Sequence, residues 1–198
     1  MKRALPSRFA FAAEAVAIGA SAGGIDALLV LLEGLPPAMH APIVIVLHLP
    51  EGHESKLVEV FAGRLDVPVK EAEPHAPVER GTVYFAPPGY HLLVEEDRSF
   101  SLSCDPPVLY SRPSIDVLLE SCAETYGPRL AGLVLTGANE DGARGLARVR
   151  ALGGLTAVQD PAEAAHKAMP EAAVAAAHPD YVLPLAGLRS LLHTVVRR

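Results

Sequence analysis

The chain has 198 residues, half of them hydrophobic and a fifth charged, with a formal net charge of −6. That length builds one ordinary domain with its own core, and the acidic balance argues against a general nucleic-acid binder, whose surface would be basic. No apolar run reaches the roughly 18 residues that a membrane span requires, so no membrane insertion is expected.

Strand and helix signals alternate along the chain. Residues 13–20 (AEAVAIGA) predict a buried strand and 25–32 the helix after it. The clearest strand is 41–48 (APIVIVLH), β-branched, unbroken and opened by Pro42. Residues 55–64 alternate apolar and charged side chains at helical spacing. Residues 81–102 predict a strand, a Pro-Gly turn and a hairpin closed at Glu96-Asp97-Arg98. Ser114 then caps an amphipathic helix that ends near Gly127-Pro128. Strand 129–137, helix 141–152, strand 153–160, an Ala-rich helix over 170–177 and a last helix over 185–193 complete the pattern.

Continuous apolar strands imply burial on both faces, and their alternation with helices implies parallel crossovers. The expected fold is therefore α/β: a three-layer α/β/α sandwich on a mostly parallel, doubly wound sheet, with an antiparallel hairpin inserted around 90–102. A single domain over 1–198 is expected, with residues 1–12 a flexible extension. Lys2 and Arg3 resemble the start of a signal peptide, but Pro6, Arg8 and Glu14 break up its apolar segment. A cytoplasmic protein is expected, and Cys104 and Cys122, without close Cys or His spacing, predict two free buried thiols.

In such sheets the reactive groups collect at the carboxyl ends of the strands. Gly19-Ala20-Ser21-Ala22-Gly23-Gly24 occupies the first of these ends. A dinucleotide loop would need glycine where Ser21 stands and an acid where the second strand ends in Leu47-His48. A phosphate loop would need Lys-Ser or Lys-Thr in place of Ile25-Asp26. What fits is G-x-S-x-G, a tight turn that presents a serine hydroxyl; the alternative is that Ser21 caps the next helix. His48, at the end of the second strand, is a candidate general base for that hydroxyl. Asp141 and Asp160 both qualify by position as the acid that orients it. Asp141 also suits the N-cap of the helix after it, and Asp160 a turn before Pro161. His40, His53, His75, His91, His166 and His178 fall in loop-like surroundings and are expected to be solvated, while His193 sits in the last helix. His48, His53 and Glu54 do not match a zincin helix, and no metal site is expected.

Six segments in order, IGASAGG, LHLP, VYFAPPGYHLLVE, RPSIDVLLESCAETYG, GLVLTGANEDGARGL and GGLTAVQDPAEAAHKAMPEAAV, span 18–174. Together they resemble the catalytic domain of the chemotaxis protein-glutamate methylesterases, the CheB type. The resemblance implies Ser21 as nucleophile, His48 as base and Asp141, rather than Asp160, as acid. It implies no cofactor or metal, with the backbone N–H groups of Ala22 and Ala138 as oxyanion donors. The implied reaction is hydrolysis of glutamyl γ-methyl esters, and deamidation of glutamines, on the cytoplasmic helices of methylated chemoreceptors.

The chain departs from the family pattern at Ala22, where threonine is usual, and at Gly137-Ala138-Asn139-Glu140-Asp141, where G-M-G-N-D is usual. The receiver domain that normally precedes the catalytic domain is not in this sequence, so a separate signalling or receiver protein is an expected partner. Arg112, Tyr90 and His91 lie in matching segments without an assigned role. A non-catalytic relative that binds a receptor or signalling partner, and a serine hydrolase for another ester or amide, are the alternatives.

Overall fold

The computed structural model describes residues 11, 13–49 and 56–197. Apart from Phe11, the expected extension over 1–12 lies outside the described residues, as do His53 and the first residue of the helix expected at 55–64. In chain order the strands are β1 (Ala15–Ala20), β2 (Ile43–Leu47), β3 (Val69–Glu71), β4 (Val83–Phe85), β5 (His91–Val94), β6 (Phe100–Ser103), β7 (Leu130–Val134), β8 (Leu155–Gln159) and β9 (Tyr181–Leu183). The helices are α1 (Gly24–Leu32), α2 (Leu57–Ala62), α3 (Ile115–Tyr126), α4 (Ala143–Ala151), α5 (Ala168–Ala177) and α6 (Leu185–Val195).

Seven strands form one sheet in the order β3-β4-β2-β1-β7-β8-β9, and every pairing in it is parallel. The apolar runs AVAIGA, IVIVL and LAGLV are buried at every position, as strands covered on both faces must be. One face carries a core with Leu28, Leu31 and Leu32 of α1, Phe61 of α2 and Leu188, Leu191 and Leu192 of α6. The other carries Ile115, Leu118 and Leu119 of α3, Leu146 and Val149 of α4 and Met169 and Ala173 of α5. The three layers are those expected from the sequence.

Two features differ in detail. The hairpin β5–β6, paired in register from His91↔Ser103 to Val94↔Phe100, stands outside the large sheet as a two-stranded sheet of its own. Its Leu92, Val94 and Phe100 pack into the α3 side of the core. Side chains of α3 occupy its open edge: Ser121 Oγ accepts the Val94 N–H at 3.1 Å, and Thr125 Oγ1 donates to Val94 O at 3.0 Å. The second difference is that β3 and β9, three residues each, extend the sheet at both edges. Their sequences, VKE and YVL, are too short to show a period.

The strand order runs outward from β1 in both directions, through β2 on one side and β7 on the other. Such a reversal opens a crevice at the carboxyl ends of the strands. Ser21 follows β1, His48 follows β2, and the loop with Asp141 follows β7. Two glycines let α3 reach that crevice. A Cβ on Gly19 would lie 2.1 Å from Ile115 Cγ2, and one on Gly142, whose φ is 97°, would lie 2.7 Å from the same atom. Without side chains at both positions, the first residue of α3 seats directly against β1 and the β7 loop.

Candidate active site

Ser21 sits on a turn held from two sides. Its N–H donates to Thr136 O at 2.9 Å, and its carbonyl accepts the Gly24 N–H at 2.7 Å. Thr136, buried at the end of β7, has Ala22 O at 2.9 Å and His166 O at 3.2 Å within reach of its single hydroxyl proton. Its N–H is taken by the buried Gln159 Oε1 at 2.8 Å. The Ser21 turn is thus tied to two neighbouring strand ends. The N-cap of α1 is Gly23, with φ 76° and no side-chain cap, so Ser21 does not cap the helix. Among the described residues its hydroxyl has no protein hydrogen-bond partner, and it faces a cavity of about 290 Å³ lined also by Ile25, Leu47, His48 and Leu49.

His48 continues β2 by one residue, its N–H donating to Ala20 O at 3.0 Å. Its Nε2 lies 2.9 Å from Asp141 Oδ2, and its Nδ1 lies 3.4 Å from Ser111 Oγ. The side chain of His48 is 11% exposed and that of Asp141 fully buried.

Four donors surround the Asp141 carboxylate. Oδ1 accepts from Ser114 Oγ at 2.9 Å and from the Asp116 N–H at 3.0 Å. Oδ2 accepts from the Ile115 N–H at 2.7 Å and from His48. Two of these donors are free N–H groups of the first turn of α3, whose dipole favours an anion there. Burial pushes the Asp141 carboxyl up, but the His48 hydrogen bond and the Asp116 and Ile115 N–H groups outweigh it and hold the group below the usual carboxylate range. An ionised Asp141 accepts only, so Nε2 of His48 carries the proton of that bond. The free lone pair is then on Nδ1, where Ser111 Oγ donates. In the serine-protease arrangement the acid holds Nδ1; here Asp141 holds Nε2 instead.

Several expectations need correction. Asp141 is not the N-cap of α4: that position is Gly142, and Asp141 serves the N-terminus of α3 instead. Asp116 of α3 serves α4 in return, its Oδ1 accepting the Gly142 N–H at 2.9 Å and the Gly145 N–H at 2.7 Å. Asp160 caps its own turn through the Ala162 N–H at 2.9 Å, away from His48. His91, expected to be solvated, is 1% exposed. Its Nδ1 accepts the Ser114 N–H at 3.1 Å, which leaves Nε2–H to donate to Pro106 O at 3.2 Å. Cys104, expected to be buried, is exposed; Cys122 is buried, and burial pushes its thiol up to about 12. Both thiols are free, as expected.

Arg112 holds the Cys104 and Asp105 carbonyls at 3.0 and 3.1 Å, and Tyr90 is exposed beside the hairpin. Among the described residues the N–H groups of Ala22 and Ala138 have no protein acceptor. Sequence reasoning missed Ser111, Thr136, Gln159 and Asp116. Each acts through a contact 22 or more residues away in sequence, and the only local trace is the capping chemistry of Ser114-Ile115-Asp116.

A family model described as CheB methylesterase matches residues 16–192. The chain belongs to the CheB methylesterase family. It is 45% identical over 178 residues to a putative protein-glutamate methylesterase/protein-glutamine glutaminase of Leptospira interrogans, covering 90% of this chain and 92% of that protein. Against the protein-glutamate methylesterase FrzG of Myxococcus xanthus it is 40% identical over 177 residues, which is 89% of this chain but 53% of FrzG. The crystal structure of the Thermotoga maritima CheB methylesterase catalytic domain superposes with a TM-score of 0.88 at 31% identity, covering 93% of this chain and all of that one. The CheB family thus includes members of about this chain's length and members about twice as long. Among the described residues no helix is long and apolar enough to cross a membrane.

Proposed function

We propose that the chain is a serine hydrolase that removes methyl groups from glutamyl γ-methyl esters of a methylated chemoreceptor, and deamidates glutamines there by the same chemistry. Ser21, His48 and Asp141 are its triad. The observation that carries this reading is the buried His48–Asp141 pair, 2.9 Å apart and set at strand ends on either side of the Ser21 turn. The names of its CheB relatives support the substrate class.

Ser21 Oγ attacks the ester carbonyl and its proton passes to His48 Nδ1, the nitrogen that Asp141 leaves free. The Oγ–C bond forms as the carbonyl becomes an oxyanion, with the unpaired N–H groups of Ala22 and Ala138 as the available donors. Collapse breaks the bond to the methoxy oxygen, which takes the Nδ1 proton and leaves as methanol. Water then attacks the acyl-enzyme, Nδ1 takes its proton and returns it to Ser21, and glutamate is released. With a glutamine substrate the leaving group is ammonia. Asp141 stays ionised throughout, stabilising the imidazolium without taking its proton. This reading sets the reaction in the cytoplasm, where receptor helices are reached.

The test is methanol release from a methylated receptor fragment by the wild type and by Ser21→Ala. Loss of the nucleophile is expected to reduce turnover about 10⁴-fold or more. Near wild-type release by Ser21→Ala would overturn the mechanism. Binding without release by either protein would favour the non-catalytic reading, in which the unengaged Ser21 hydroxyl is permanent.

A further inference from the structure

Val108 and Ser111 form a closed two-residue turn, with Val108 N donating to Ser111 O at 3.1 Å and Ser111 N donating to Val108 O at 2.8 Å. Its two central residues, Leu109 and Tyr110, have φ of 48° and 64°. Positive φ at both central positions is what a type I′ turn requires, and Asn-Gly normally supplies it. Here two bulky side chains are held in the left-handed region, which disfavours them. Packing does not hold Tyr110 there, for it is 100% exposed; Leu109 is 37% exposed. A backbone outlier that presents exposed apolar side chains is expected where those side chains serve contact with another molecule.

The turn is continuous with the active site. Ser111, its last residue, reaches His48 Nδ1. Leu109 and Tyr110 form one wall of a groove of about 400 Å³ whose other wall is Asn139 and Glu140, immediately before Asp141. Its floor is Ala168 and Ala172, one turn apart on α5. This groove and the Ser21 cavity share no lining residue. Among the described residues no cation lines the groove, and Glu140 is exposed in it. Charge complementarity then admits an apolar side chain with neutral or basic neighbours and repels an acidic one.

We propose that the Leu109-Tyr110 turn and its groove dock the substrate protein itself, receiving an apolar side chain on the same face of the helix that delivers the ester to Ser21. This rests on the protein-methylesterase reading above and adds how a macromolecular substrate is told from a small ester. While the ester is neutral, the segment fits beside Glu140. Hydrolysis adds a carboxylate, and the same wall then favours departure of the product.

The experiment compares two substrates, a methylated receptor fragment and a blocked single-residue glutamate γ-methyl ester, with wild type, Tyr110→Gly and Leu109→Gly. Glycine relieves the positive φ, so these variants keep the turn while losing its side chains, and their melting temperatures verify the fold. The expected result is a KM for the receptor fragment raised about tenfold or more, as for loss of an aromatic contact anchor, with kcat within about twofold. The loss of kcat/KM on the single-residue ester should be at least about tenfold smaller. An unaltered KM for the fragment would overturn the proposal. So would an equal loss on both substrates, which would mean that the turn acts only through Ser111 on His48. A change of oligomeric state at constant KM would make the turn a self-association contact, and would overturn it too. If the wild type hydrolyses neither ester in a Ser21-dependent way, it is the enzymatic reading that has failed.

Discussion

Asp141 is costly to bury and is kept ionised by the donors around it, so each donor bears on where the carboxylate sits. Ser114 has two tasks: its hydroxyl donates to Asp141 Oδ1, and its N–H is held by His91 Nδ1. His91 is therefore three contacts from the His48 imidazole, through Ser114 and Asp141. Removing its Nδ1 leaves a buried N–H without an acceptor and frees Ser114 to shift. His91→Leu is expected to lower kcat about ten- to a hundredfold through misplacement of the His48–Asp141 pair, with KM little altered. His91→Asn, whose side-chain oxygen can stand where Nδ1 stood, should recover most of that loss. Steady-state kinetics with the receptor fragment, alongside the rate at which a fluorophosphonate modifies Ser21, distinguishes slowed chemistry from a smaller active fraction. Equal losses in both variants would rule out the acceptor role.

Elements meet at the site through exchanged caps. Asp141, from the β7 loop, satisfies the first N–H groups of α3, and Asp116, from α3, satisfies those of α4. Burial pushes the Asp116 carboxyl up, with the Gly145 N–H opposing and the Asp141 charge adding to the rise, so its acceptor oxygen matters more than its charge. Asp116→Ala leaves two buried N–H groups unpaired and should cost about 2–4 kcal/mol in urea unfolding. Asp116→Asn keeps an acceptor and should cost less than about 1 kcal/mol. If the two substitutions cost the same, the cap is not what stabilises this junction. These exchanges also explain what the sequence could show of the fold and site. Strands such as IVIVL and helices such as α3 carry their own period and caps, and so do the turns that present Ser21 and His48. The edge strands β3 and β9 hold three residues each and carry no period, so only pairing with β4 and β8 defines them. From the sequence Asp141 reads equally as a local N-cap, and Asp160 as an equal candidate for the acid, because the contacts of Asp141 with His48 and with α3 are long-range. His91 looked solvated because nothing in HLLV announces that α3 will cover its ring.

At the scale of the whole molecule, the Asp141 carboxylate and the His193 imidazole lie on opposite faces of the sheet. The α3–α5 face holds the Asp141 cradle; the α1–α6 face holds His193, whose Nε2 is buried with no hydrogen-bond partner among the described residues. Burial holds the His193 imidazole below its ordinary value, the Glu33 backbone opposes this, and the charges of Arg197 and Arg189 add to the lowering. A base with a depressed folded-state pKa is neutral in both states above the unfolded value of 6.5, where it costs nothing. As pH falls through that value the unfolded chain takes up the proton first, and stability declines until the folded-state pKa is also passed. The slope from this one group stays below the about 1.4 kcal/mol per pH unit that a full proton would give. Protonation there would strain the contact of α6 with α1, where Arg189 pairs with Glu33. His193→Gln should therefore flatten the fall in unfolding free energy just below pH 6.5, and leave unchanged the separate loss at more acid pH as Asp141 protonates. Denaturant titrations of both proteins at half-unit steps from pH 7.5 to 4.5 read the difference directly. Parallel curves through this window would show that His193 takes up its proton equally in the folded and unfolded chains, and that the α1–α6 face does not sense acid.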